Sequence, residues 1–182
     1  MHTVSQLIDA RADIGPQKIA VIDRGGGWTY AELAAESRRL AGGLLKLGIG
    51  SGDRVGFWLP NIAQYLTLHI ACARIGAITV SINTRYRSSE VGDIVGRSGC
   101  RALVLWPSFK DIAFLDILAE VDRTDLEQLE FLITYSEGEQ EIQLPGRLLS
   151  QRTVPYTDLA RSEMFTSDGA TAQNGVVVFT TS

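Results

Sequence analysis

Three hydroxyl residues, Thr180, Thr181 and Ser182, directly follow the apolar run Val176–Phe179. Short hydroxyl side chains at the carboxyl end of a strand suit phosphate, because they donate hydrogen bonds without screening the backbone amides. Taken alone, the three read as the polar end of a strand. Gly48-Ile49-Gly50-Ser51-Gly52 has the look of a dinucleotide fingerprint. It follows a helical pattern and precedes an apolar run, the reverse of the strand–loop–helix order that turns amides toward a pyrophosphate, so it reads as a helix stop and connector. Neither a G-x-x-x-x-G-K-[ST] loop nor a G-x-S-x-G elbow occurs. His69 lies mid-helix with no cysteine or carboxylate constellation tied to it, and reads as a packing residue. Arg74, Arg85, Arg87, Arg97 and Arg101 outnumber Glu90 and Asp93 over the same stretch. An anionic ligand would suit them, but the expectation is solvated caps and surface ion pairs. Glu139 and Glu141 sit in a polar loop without the burial that acid–base chemistry needs.

Composition narrows the classes. The chain has 182 residues, 45% hydrophobic and 21% charged, enough to bury a core without disulfides or a structural metal. That excludes disorder as a description of the whole. A formal net charge of −4 removes the electrostatic case for a nucleic-acid binder. Cys72 and Cys100 lie in apolar surroundings and form no close-spaced set, so a reducing cytoplasm fits and a zinc cluster does not. The first twenty residues show no signal peptide, and no apolar run is long enough to span a membrane. Charge is uneven: residues 1–110 carry 13 basic and 8 acidic side chains, whereas 111–141 carry 1 and 10. The acidic stretch reads as solvated helix and loop faces, with a docking surface for a basic partner as the alternative.

These residues need elements to hold them. Ile19–Asp23 and Trp28–Thr29 flank Arg24-Gly25-Gly26-Gly27 as a strand, a glycine turn and a returning strand. Thr29-Tyr30-Ala31-Glu32 matches a capping box, and the helix after it shows Tyr30, Leu33, Ala34, Leu40, Ala41, Leu44 and Leu45 on one side until Gly48 stops it. Val55–Leu59 is a strand, Asn61 is placed to cap a buried helix over Ile62–Ile75, and Gly76 closes that helix. Strands follow at Ile78–Ile82, Ala102–Trp106, Phe131–Tyr135 and Val176–Phe179, with helices from Ser88 or Ser89 and over Phe109–Asp122. Continuous apolar strands separated by helices predict a doubly wound α/β fold whose mostly parallel sheet has helices on both faces. The expected divisions are a compact unit over 1–110, an acidic crossover over 111–175, and a strand leading into a loop over 176–182.

An ordered series of blocks then carries a family resemblance. Trp28-Thr29-Tyr30-Ala31-Glu32-Leu33, Leu40-Ala41, Leu44, Gly48 to Val55, Leu59-Pro60-Asn61, Ala73-Arg74-Ile75-Gly76-Ala77 and Ile82 to Val91 resemble the opening domain of the adenylate-forming superfamily. That superfamily includes acyl-CoA synthetases, luciferases and peptide-synthetase adenylation domains. The likeness covers residues 5–106 well and 107–175 poorly, and it returns at Val178-Phe179-Thr180-Thr181-Ser182. Asn83 with Arg85-Tyr86-Arg87 is similar to fatty-acyl or aryl CoA ligases in particular.

The resemblance implies an enzyme that joins a carboxylic acid to ATP with Mg2+, releases pyrophosphate, and passes the acyl group to coenzyme A. Thr180, Thr181 and Ser182 match the start of the family's phosphate-binding loop, so it implies that they contact the ATP phosphates. No other catalytic or metal position of the family falls within the chain. Family members are much longer, and the expectation is therefore the N-terminal portion of a ligase, inactive alone, with a carboxylate at Ser182 opposing the polyphosphate. A sheet separated from its partner subdomain would expose apolar surface and self-associate. The alternative is a complete non-catalytic interaction or regulatory module using the acidic 111–141 stretch.

Overall fold

In the computed structural model, residues 3–24, 26–107, 109–110, 112–138, 142, 144–148, 150–167 and 170–179 are described. The elements run α1 (Val4–Ile14), β1 (Ile19–Asp23), β2 (Gly26–Thr29), α2 (Tyr30–Lys46), β3 (Arg54–Trp58), α3 (Ala63–Ile75), β4 (Ile78–Ser81), α4 (Ser88–Ser98), β5 (Cys100–Leu105), α5 (Phe114–Ala119), β6 (Phe131–Thr134), β7 (Arg152–Pro155), α6 (Tyr156–Ala160) and β8 (Val177–Phe179). They group into two compact units that interleave along the chain. One comprises Met1–Asp53, Pro60–Ile78 and Asp158–Val176, the other Arg54–Leu59, Thr79–Thr157 and Val177–Ser182.

The first unit is built on helices. At α1, Thr3 Oγ1 accepts from Gln6 N at 3.2 Å while Thr3 N donates to Gln6 Oε1 at 3.1 Å, a capping box that periodicity alone does not reveal. At α2, Thr29 and Glu32 form the box expected of them. The backbone and side-chain hydrogen bonds from Thr29 hold the Glu32 carboxyl below its ordinary value. Leu33, Ala34, Leu40, Ala41 and Leu44 are buried along α2, whereas Leu45 is exposed.

Two expectations fail in this unit. Asn61 does not cap α3: the N-cap is Ile62 with no side-chain bond, and Asp23 Oδ2, at the end of β1, accepts from Ala63 N at 2.8 Å. A carboxylate brought by the β1–β2 hairpin both accepts from an orphan amide and complements the positive end of the helix dipole, so it replaces a local cap. Arg74 is not a solvated cap but fully buried. It donates through Nη1 and Nη2 to both oxygens of Asp9, at 2.9 and 2.6 Å, and through Nε to Ser37 Oγ at 3.0 Å. A buried guanidinium is tolerated only with such partners.

The second unit is a six-stranded sheet in the order β7-β6-β5-β3-β4-β8. The pairs β3–β5, β5–β6, β6–β7 and β4–β8 are parallel. Ile82 N donates to Phe57 O at 3.0 Å, which carries β4 alongside β3. All four residues of β6 and five of the six in β5 are buried, so both faces of the central strands are covered, as their unbroken apolar runs predict. The helix expected over Phe109–Asp122 is shorter. Lys110 has φ 54, a left-handed conformation that cannot continue a right-handed helix, and α5 begins only at Phe114, with a 3₁₀ turn at Arg123–Leu126. β7 and α6 were not expected. Pro155 in β7 forfeits an amide, which suits an edge strand.

Candidate functional site

Parallel pairing sends the carboxyl ends of the strands to one edge of the sheet. Register places Pro155, Thr134, Leu105 and Trp58 in one row, and Ser81 opposite Phe179 at the ends of β4 and β8. The chain leaves β3 for β4 on one side and then returns to place β5, β6 and β7 on the other. Such a reversal marks where open α/β sheets bind ligands, outside the carboxyl ends.

Aromatic side chains build this edge. Tyr156 meets Tyr135 edge-on at 5.5 Å between ring centroids, and Tyr135 meets Trp106 edge-on at 5.0 Å. Trp106 also packs on Phe109 at 5.0 Å, and Trp58 meets Phe114 edge-on at 4.5 Å. Edge-to-face contacts satisfy the ring quadrupoles and hold the strand ends rigidly. The Lys110 ammonium lies over the Phe109 ring, 5.3 Å from its centroid, an arrangement that favours a cation. Trp58 Nε1 donates to Asn83 O at 3.2 Å, which ties the end of β3 to the turn after β4.

That turn is fixed by its own polar atoms. Arg85 N donates to Asn83 Oδ1 at 3.0 Å, and Arg87 Nη1 donates to the carbonyls of Arg85 and Tyr86 at 3.0 and 3.2 Å. Arg87 N donates to Glu90 Oε2 at 3.0 Å. This and further hydrogen bonds at the start of α4 hold the Glu90 carboxyl below its ordinary value. A cavity of about 710 Å³ lies elsewhere, lined by Leu118, Leu126, Phe131 and Arg152 among others. Phe131 and Arg152 begin β6 and β7, so this cavity opens at the amino edge, away from the candidate site.

Comparison with known proteins decides the family. A family model for AMP-binding enzymes matches residues 8–174. The chain belongs to the AMP-binding enzyme family. Acyl-CoA ligase sidI of Aspergillus fumigatus is 39% identical over 104 residues, which cover 57% of this chain and 18% of that protein. The mitochondrial medium-chain acyl-CoA ligase ACSF2 of Mus musculus is 34% identical over 121 residues, 65% of this chain and 20% of the relative. A solved Mycobacterium tuberculosis fatty acyl CoA synthetase shares the fold, with a TM-score of 0.76 at 23% identity over 99% of this chain and 32% of the other. The chain spans about a fifth of the length of the curated relatives it matches.

Within this AMP-binding enzyme fold, the other sequence candidates separate. Thr180, Thr181 and Ser182 lie outside the described residues, as do Glu139 and Glu141. β8, which leads to the first three, runs parallel to β4 toward the carboxyl edge. His69 is half-buried in α3, and burial lowers its pKa, so its imidazole is neutral near pH 7. Burial pushes the Cys100 thiol up to about 12, against the opposing charge of Arg54. A thiol raised so far stays protonated near pH 7 and is no nucleophile. Among the described residues, no three His, Cys, Asp or Glu side chains converge to hold a metal ion, so no Mg2+ chemistry is assigned to them. The aromatic row was missed in the sequence. Its signal is an aromatic residue at or just after a strand end, at Trp58, Trp106, Tyr135 and Tyr156.

Proposed function

We propose that the chain is the N-terminal portion of an ATP-dependent acid–CoA ligase, acting on a fatty-acyl or aryl carboxylate. The match to the AMP-binding enzyme family over residues 8–174 carries this reading, and the acyl-CoA ligases among the relatives support it. In the reaction a carboxylate oxygen attacks the α-phosphorus of ATP, an O–P bond forms, and pyrophosphate leaves with the electrons of the broken bond. The thiolate of coenzyme A then attacks the acyl carbon and AMP leaves. Thr180, Thr181 and Ser182 are assigned to the ATP phosphates. Their hydroxyls would donate hydrogen bonds to oxygens that gain charge as pyrophosphate departs, the kind of aimed donor that stabilises a transition state electrostatically. Mg2+, when bound, would neutralise polyphosphate charge, but no residue here is assigned to it. No helix among the described residues is long and apolar enough to cross a membrane, and a cytoplasmic location is part of the same proposal.

The reading is tested by acid-dependent exchange of labelled pyrophosphate into ATP. The 182-residue chain is expected to show none, because positioning groups supplied by several parts of an active site provide most of the acceleration. The encoding gene is expected to continue past Ser182 with a glycine-rich turn and a lysine, and the ligase so encoded should exchange. A continuation lacking both, or exchange by the chain alone, overturns the proposal.

A further inference from the structure

β4 and β8 start side by side, and one serine side chain touches the segment that precedes each of them. β8 is three residues long, pairing Val177, Val178 and Phe179 with Thr79, Val80 and Ser81, and it forms the edge of the sheet. So short a ladder specifies its own register weakly, and a slip of one residue turns every side chain to the opposite face. It would also displace Thr180 and the residues after it by about 3.3 Å along the strand. The register must be fixed before β8 begins.

The fixing contacts lie in the first unit. Thr171 N and Oγ1 donate to Asn174 Oδ1 at 2.7 and 3.0 Å, and Asn174 N donates to Thr171 O at 3.1 Å, closing a tight turn just before β8. The other end of the same amide, Asn174 Nδ2, donates to Ser51 Oγ at 3.0 Å. Ser51 belongs to the glycine-rich connector, whose Gly52 N donates to Gly76 O at 2.9 Å. Gly76 ends α3 with φ 73, just before β4. A Cβ on Gly76 would sit 2.9 Å from Ser51 Oγ and 3.0 Å from Asn174 Nδ2, so the three residues are packed against one another. Ser51 therefore ties the residue that launches β4 to the turn that launches β8.

We infer that the Ser51–Asn174 hydrogen bond is a register clamp for β8, and that Ser51 and Asn174 are positioning residues for the phosphate-binding loop. The inference rests on the reading of Thr180, Thr181 and Ser182 as phosphate contacts. It gives the Gly48–Gly52 connector a task in nucleotide binding without any contact to nucleotide.

Amide hydrogen exchange followed by mass spectrometry tests the clamp on the chain itself. In Ser51→Ala, exchange at Val177–Phe179 should accelerate by about fivefold, the effect of one lost neutral hydrogen bond on a local opening, and in Asn174→Ala by more, because the two bonds from Thr171 are lost as well. β3 and β5 should keep their protection, and Ser51→Thr, which retains the hydroxyl, should behave as wild type. Unchanged exchange at Val177–Phe179 overturns the clamp, and so does a loss spread evenly over β3 and β5. In the ligase of the proposal, Ser51→Ala should raise KM for ATP while KM for the carboxylic acid stays as it was. Thr181→Ala is the control that separates the two ideas. If it leaves ATP use unchanged, the phosphate-loop reading fails. If it impairs ATP use and Ser51→Ala does not, the positioning role fails.

Discussion

Asp9 pairs with two arginines at once, Arg74 through both oxygens and Arg38 through Oδ2 at 2.6 Å. Burial alone would push its carboxyl up, but the hydrogen bond and charge of Arg74, joined by the charge of Arg38, together outweigh it and hold the pKa below the ordinary 3.8. A carboxyl whose folded pKa is depressed contributes stability above its unfolded pKa, and that contribution is lost as pH falls through the folded value. Thermal stability should therefore drop as pH falls below about 4 by more in wild type than in Asp9→Ala. At neutral pH, Asp9→Ala leaves Arg74 buried without its carboxylate and should cost about 3 kcal/mol in urea unfolding. A loss near zero would mean that water replaces the carboxylate. The arginine was legible in the sequence as a basic residue at the end of a helix, but its burial was not. Its partner lies 65 positions away, and no local pattern reports a contact across that separation.

At the scale of elements, local chemistry explains what could be read. The Thr29–Glu32 box starts α2 because both partners lie within one turn, whereas the carboxylate that starts α3 comes from β1, 40 positions earlier. Segments that return from far along the chain also dictate where glycine is required. An added Cβ on Gly42 of α2 would run into the backbone carbonyl of Glu163. Phe165 N donates to Arg38 O at 3.0 Å, and Arg38 Nη1 donates to Phe165 O at 3.3 Å, so this returning segment lies directly on the helix. Helix propensity alone makes Gly42→Ala favourable by about 1 kcal/mol. The clash with a backbone atom should reverse the sign, for a net loss of about 1–2 kcal/mol in unfolding free energy, read as a lower urea midpoint. Faster exchange should be confined to residues near Glu163 and Phe165. A stabilised variant would show that the segment is not held against α2.

Across the whole molecule, the edge strand β8 leaves Phe179 75% and Val178 42% exposed. An apolar edge with unpaired backbone groups is a template for another chain, and we expect concentration-dependent self-association in sedimentation velocity. Phe179→Lys should shift the chain toward monomer, and wild type that stays monomeric at every concentration would rule the association out. The family, the parallel α/β plan and the succession of the main strands along the chain were legible because each rests on signals within a few residues: unbroken apolar runs, capping boxes, glycine stops and an ordered set of short motifs. The sequence by itself therefore determined what kind of fold this is and which chemistry to look for. Tertiary structure alone decided the rest. It buried Arg74 on Asp9, lent Asp23 to a distant helix, joined Trp106, Tyr135 and Tyr156 into one row, and brought Ser51 to Asn174 across 123 positions. Such contacts depend on where the chain returns in space, and residue types repeated at helical or strand spacing carry no record of that return.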